Sequence, residues 1–220
     1  MRNLVLAVVS VCALAACNQS APAGSSADAG GGLFPNLTTA QYRAEATVNP
    51  EGGTPMPVVM MRSGNKLRME IATPAGPSIM LTDGDTHESY MISNMGGRQT
   101  ALRINHEQSE VPDPTQAWQG ELSANATRTG SCSVAGESGN QWTQNASEDG
   151  VVRVACVTND GIILQAKEGD RVTWETTSVQ RGPQAAELFT VPAGVQVIDM
   201  ADMGAAMRDA MERAKAAQGQ

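Results

Sequence analysis

From residue 42 the chain alternates with a period of two. Tyr42, Ala44, Ala46 and Val48 are interleaved with Arg43, Glu45 and Thr47, the pattern of a strand with one buried and one solvated face. Asn49-Pro50-Glu51-Gly52-Gly53 ends it in a loop. Residues 58–61 are continuously apolar, Ser63-Gly64-Asn65 is a tight turn, and Leu67, Met69 and Ile71 then alternate with Lys66, Arg68 and Glu70. After a turn at 73–77, residues 79–81, 90–92 and 100–104 read as three more strands, separated by Asp83-Gly84-Asp85 and Asn94-Met95-Gly96-Gly97. Turns at this regular short spacing mark an antiparallel sheet.

Residues 106–128 interrupt the pattern. The stretch 106–115 is polar and carries Pro112 and Pro114, and 116–125 reads as a short helix. Strands resume at 131–135, 141–144, 151–158, 162–166 and 171–179, with Asn159-Asp160-Gly161 as a hairpin turn. At the end the period changes. Met200, Met203, Met207 and Met211 fall on one face of a helix over 199–217. Asp199 is placed to cap it, and Arg208, Arg213 and Lys215 suit its negative end.

The N-terminus is an address. In 1–17, Arg2 precedes an apolar run over 4–14 that is too short to span a bilayer. Leu14-Ala15-Ala16-Cys17 resembles the lipobox of bacterial lipoproteins. That resemblance implies cleavage before Cys17, lipidation of Cys17 and a stable membrane anchor. Asn18 in place of Asp favours the outer membrane, with the protein on its periplasmic face. Residues 18–33, rich in Ala, Gly and Ser, read as a flexible tether. A single domain follows over 34–220.

Composition adjusts this picture. The net charge is −8, and loss of Arg2 with the leader deepens it by one, so no nucleic-acid footprint is expected. Two His and four Cys are too few for most transition-metal or zinc clusters, and no metal or cofactor is expected. Cys12 leaves with the leader and Cys17 is acylated, which leaves Cys132 and Cys156. In an oxidising compartment these are expected to bridge, a loop closure worth roughly 3 kcal/mol. A redox pair is the competing reading, but there is no CxxC spacing.

Three stretches carry a family resemblance. They are Gly64-Asn65-Lys66-Leu67-Arg68-Met69-Glu70, Cys156-Val157-Thr158-Asn159-Asp160-Gly161-Ile162-Ile163-Leu164, and Phe189-Thr190-Val191-Pro192-Ala193-Gly194-Val195. Their order resembles that in an uncharacterised family of bacterial periplasmic proteins and lipoproteins whose fold is like the LolA/LolB lipoprotein carriers. Ile163 stands where that family has Pro, and Val195 where it has Tyr. The resemblance implies a mainly β (α+β) fold, a curved antiparallel sheet forming a half-open barrel. The C-terminal helix and the short helix would pack on its concave face.

Candidate chemistry is thin. Ser63-Gly64-Asn65-Lys66 matches S-x-x-K, but it falls in a turn and not at the helix start that would aim the hydroxyl. Asp83, Asp85, His87 and Glu88 cluster at a turn without a calcium loop. Arg68 with Glu70, and Lys66 with Glu45, are expected to pair on the wet face. No catalytic residue is assigned, and the protein is expected not to be an enzyme. The 12 Met contrast with two Tyr, two Phe and three Trp. Met60, Met69, Met80, Met91, Met200, Met203, Met207 and Met211 are candidate lining for an apolar ligand; the alternative is that they fill a core short of aromatics. The expected function is a lipid-anchored, monomeric binder of an apolar molecule such as an acyl chain or lipidated protein. The alternative is a protein-interaction or sensory module of the envelope without a small-molecule ligand.

Overall fold

A computed structural model describes residues 33–74, 76–95, 97–105, 113–144 and 150–199, and individual helical positions between 202 and 215. The leader, Cys17 and most of the tether lie outside the described residues.

Six strands follow one another: β1 (Gln41–Val48), β2 (Met56–Ser63), β3 (Lys66–Thr73), β4 (Gly76–Asp83), β5 (Glu88–Met95) and β6 (Arg98–Asn105). Helix α1 (Pro114–Asn125) leads directly into β7 (Ala126–Val134). Then come β8 (Glu137–Gln144), β9 (Arg153–Val157), β10 (Ile163–Glu168), β11 (Arg171–Arg181) and a short β12 (Gln196–Asp199). All belong to one sheet of 12 strands, ordered β12-β6-β5-β4-β3-β2-β1-β11-β10-β9-β8-β7. Two antiparallel meanders, β1–β6 and β7–β11, are thus joined by the β1–β11 pair.

The sheet is open, with β12 and β7 at its edges. It is also mixed, which corrects the all-antiparallel expectation: β12 returns parallel to β6. Asp199 is the last residue of that strand, with its carboxylate 3.9 Å from Arg103 Nε; residues 200 and 201, where its expected helix cap would act, lie outside the described residues. The described helical positions of the C-terminal segment begin at Asp202.

Alternation decides which residues meet. Tyr42, Ala44 and Ala46 on β1, Val58 and Met60 on β2, and Leu67 and Met69 on β3 share one face and are buried. They join Trp142, Ala155, Ala166 and Trp174 from the second meander in the main core. Phe34 packs edge-on against Trp142, with ring centroids 5.1 Å apart. Trp118 and Leu122 of α1 pack against the same core. The other face is not simply wet. Leu81, Ile92 and Ala101 form a second, smaller core there, covered by Val191 and Val195 of the returning chain. Arg68 donates to the Leu188 carbonyl at 3.0 Å on the way. The apolar runs 79–81, 90–92 and 101–102 fit this, since a strand buried on both faces loses its alternation.

The Cys132–Cys156 bridge is present, joining β7 to β9 across the intervening β8. At Gly139 of β8 a Cβ would lie 2.7 Å from the Val157 carbonyl oxygen, so only glycine admits this approach. The Asn159-Asp160-Gly161 turn joins β9 to β10 as expected, with Gly161 at φ +86°.

Candidate functional site

The registers place four of the candidate methionines in a single row. Met60 pairs with Met69, Met69 with Met80, and Met80 with Met91. The row continues to Ala44 on one side and to Leu102 and Ile198 on the other. Directly opposed residues on one face have Cβ atoms about 5 Å apart, so the four thioethers lie side by side across β2–β5. Burial relaxes along the row. Met60 is 4 % and Met69 8 % exposed, inside the main core, whereas Met80 and Met91 are half-buried.

Hydroxyls hold the two ends. The Tyr42 hydroxyl donates to Met60 Sδ and the Ser78 hydroxyl to Met91 Sδ, each at 3.1 Å. Burial pushes the Tyr42 phenol above its ordinary pKa, against the pull of the Arg62 guanidinium. Of the other candidates, Met200, Met203 and Met207 lie outside the described residues. Met211 is 56 % exposed, so it lines no enclosed space.

Beneath α1 lies an ion pair that sequence reasoning missed. Arg62 and Asp113 both have fully buried side chains and meet at 2.7 Å. Arg62 also donates to the Thr115 hydroxyl and, at 3.0 Å, to the Gly64 carbonyl. Its Nε is buried with no partner among the described residues. Asp113 simultaneously caps the helix, its Oδ1 accepting from Thr115 N at 2.8 Å. Two signals were available: Arg62 occupies the inward phase of Val58 and Met60, and Asp113-Pro114-Thr115 is a helix start with Pro in the first turn.

A cleft of about 130 Å³ opens between α1 and the end of the second meander, lined by Trp118, Leu122, Gln144, Arg153, Ala155 and Ala166 among others. Ala155 and Ala166 oppose each other between Trp142 and Trp174, and the two small side chains leave the dent. Ligand pockets run about 300–1,000 Å³, so this cleft does not hold an acyl chain. The methionine row is not part of its lining.

The remaining candidates resolve into surface pairs. Lys66 bonds Asp83 at 2.7 Å and not Glu45, because β2 separates β1 from β3 whereas Asp83 lies directly opposite on β4. That hydrogen bond raises the Lys66 pKa, the wrong direction for a general base beside Ser63. Glu45 pairs with Arg43 at 3.0 Å. Arg68 and Glu70 meet at 2.6 Å along one strand and not across two. Asp83 and Asp85 serve the turn: Asp83 Oδ1 accepts from Asp85 N, and Asn65 donates to Asp85, both at 2.9 Å. Among the described residues no group of three or more His, Cys, Asp and Glu side chains could hold a metal ion.

No family model and no curated sequence matches the chain. Among solved structures it is similar to an uncharacterized conserved protein from Thermus thermophilus. That match has 11 % identity and a TM-score of 0.51, over 73 % of this chain and 91 % of that one. It is a likeness of fold alone. MucB in complex with MucA(peri) aligns at 14 % identity with a TM-score of 0.46, over 73 % of this chain and 57 % of that one. PNGF-II aligns at 12 % identity with a TM-score of 0.46, over 73 % of this chain and 31 % of that one.

Proposed function

We propose that this chain is a lipid-anchored protein of the bacterial envelope that binds an apolar ligand, an acyl chain or a lipidated protein, without catalysing a reaction. The observation that carries this is the passage of one methionine row from core to half-buried surface. Met60 and Met69 close the core, Met80 packs against it, and Met91 and Leu102 continue the same row on the next strands. Thioether chains adapt to varied apolar partners, and an open strip accepts a long chain that the 130 Å³ cleft cannot. The Cys132–Cys156 bridge supports an oxidising compartment. The lipobox-like 14–17 segment supports anchoring through Cys17 on the periplasmic face of the outer membrane. No described helix is long and apolar enough to cross a membrane. Native mass spectrometry of the full chain released from detergent tests the ligand. Added palmitate should give a bound mass that Met80→Glu abolishes; a wild-type spectrum unchanged by palmitate refutes it.

A second reading, a protein-interaction module, is favoured by one feature. Edge strand β7 exposes Thr127, Thr129, Ser131 and Ser133, and among the described strands it has a sheet neighbour, β8, on one side only. Such an edge suits addition of a partner's strand. A stoichiometric protein captured from envelope extract, lost when Gly130→Pro blocks the edge, would select this reading.

A further inference from the structure

We infer that the cleft between α1 and the second meander binds one neutral pyranose ring of a saccharide. Two rows of side chains build it. Trp142, Ala155, Ala166 and Trp174 lie in register across β8–β11. Two residues further along the same strands, and so on the same face, come Gln144, Arg153 and Glu168, the last two directly opposed. All three line the cleft with Ala155 and Ala166, and Trp118 and Leu122 of α1 form its other wall. The site thus has a small apolar floor, an aromatic wall and, about 7 Å along the strands from the floor, a polar row.

Size and chemistry select the ligand. A cavity of about 150 Å³ holds one benzene ring, so 130 Å³ in an open cleft takes one six-membered ring and leaves any attached group outside. The polar row presents an amide, a guanidinium and a carboxylate, which together offer donors and acceptors. Arg153 Nε and Glu168 Oε1 stand 3.7 Å apart, beyond hydrogen-bond distance, with side chains 33 % and 38 % exposed. A hydroxyl between them accepts from the first and donates to the second. Gln144 Oε1 is buried without a donor among the described residues; its amide turns about a torsion with broad preferences, which brings the acceptor to a neighbouring hydroxyl. A plain aromatic ring would strip water from this row and return no hydrogen bond, a net loss. A charged ligand would meet Arg153 and Glu168 as a cancelling pair. A pyranose answers both walls: its C–H face covers the alanines and the Trp118 indole, and its hydroxyl edge meets the polar row.

The inference does not depend on the apolar-ligand reading, whose methionine row lies outside this cleft. The test uses the full chain in lauryldimethylamine oxide, a detergent without a sugar headgroup, and NMR titration. The probes are the methyl pyranosides of glucose, galactose, mannose and N-acetylglucosamine, with benzene as the ring that lacks hydroxyls. At least one pyranoside should bind with a Kd on the order of 1 mM, as expected for a ligand of this size. Trp118→Ala and Gln144→Leu should each weaken it at least about fivefold, the worth of one ordinary contact or hydrogen bond. In the wild type the largest amide shifts should fall at Trp118, Leu122, Gln144, Ala155 and Ala166, a readout that holds even if a variant fails to fold. A disaccharide ending in the tightest ring separates two sources: affinity at least as tight assigns the end of a glycan chain, weaker affinity a free monosaccharide. The inference is overturned if no pyranoside binds tighter than about 20 mM, if the shifts centre elsewhere, if either variant binds as the wild type does, or if benzene binds tighter than every pyranoside.

Discussion

Asp113 combines two stabilising roles in one side chain, and substitution can separate them. Its Oδ1 caps α1 and its Oδ2 neutralises Arg62, both with no solvent exposure. Asn caps a helix as well as Asp does, so Asp113→Asn removes only the charge. It leaves a buried guanidinium unpaired, which costs about 3 kcal/mol, the lower end for a broken buried pair. Asp113→Ala also removes the cap, adding about 1 kcal/mol. For a chain of this size 3 kcal/mol lowers Tm by roughly 6–12 °C. Replacing both partners, Arg62→Met with Asp113→Asn, should recover most of the loss, because it removes the unpaired buried charge and keeps the helix cap. Urea denaturation followed by tryptophan fluorescence measures all three variants, with Trp118 on α1 reporting the helix. The reasoning is refuted if Asp113→Asn lies within about 0.5 kcal/mol of the wild type, the range of an ordinary surface change. It is equally refuted if the double variant is no more stable than the single one.

Three further outcomes are expected. At Gly161 a Cβ would sit 2.2 Å from the Asn36 carbonyl oxygen, whereas at Gly150, also at positive φ, it would meet nothing within 4 Å. Gly161→Ala should therefore lose at least about 2 kcal/mol more than Gly150→Ala in thermal melts, since both share the strain of positive φ. The Arg181 guanidinium, bonded to Asp160 at 2.6 Å, holds that carboxyl below its ordinary pKa of 3.8. A depressed folded-state pKa stabilises above 3.8 and is lost as pH falls below it. Asp160→Asn should flatten that part of the acid unfolding curve, and the pair's exposure keeps the effect small. Reducing the Cys132–Cys156 bridge, which spans 24 residues, should cost about 3 kcal/mol by the loop-closure argument, measured by denaturation with and without reductant.

The strands were legible because alternation is local. Tyr42-Ala44-Ala46 and Leu67-Met69 state their own faces, and Gly161 marks its own turn. The start of β7 was not, because 126–130 (Ala-Thr-Arg-Thr-Gly) has no apolar rhythm and becomes strand through pairing with β8. β12 was missed for a similar reason: four residues are too few to show a period, and its pairing partner lies far upstream on β6. The methionines were singled out from the sequence, but not their row, which depends on three registers at once. Arg62 and Asp113 illustrate the harder limit. A buried charge reads as a surface charge until its partner, 51 residues away, is known.

The strand order also sets a timetable. β1 forms its β2 hairpin at once, but its other side is filled by β11, and Glu45 and Thr177 that meet there are 132 residues apart. At 5–20 residues per second of synthesis, the nascent first meander waits on the order of ten seconds with that edge bare. Arg43 and Glu45, charged and paired on the waiting strand, are the kind of gatekeepers that discourage a neighbouring chain from pairing there first. The seam between the two meanders is therefore where misassembly would begin.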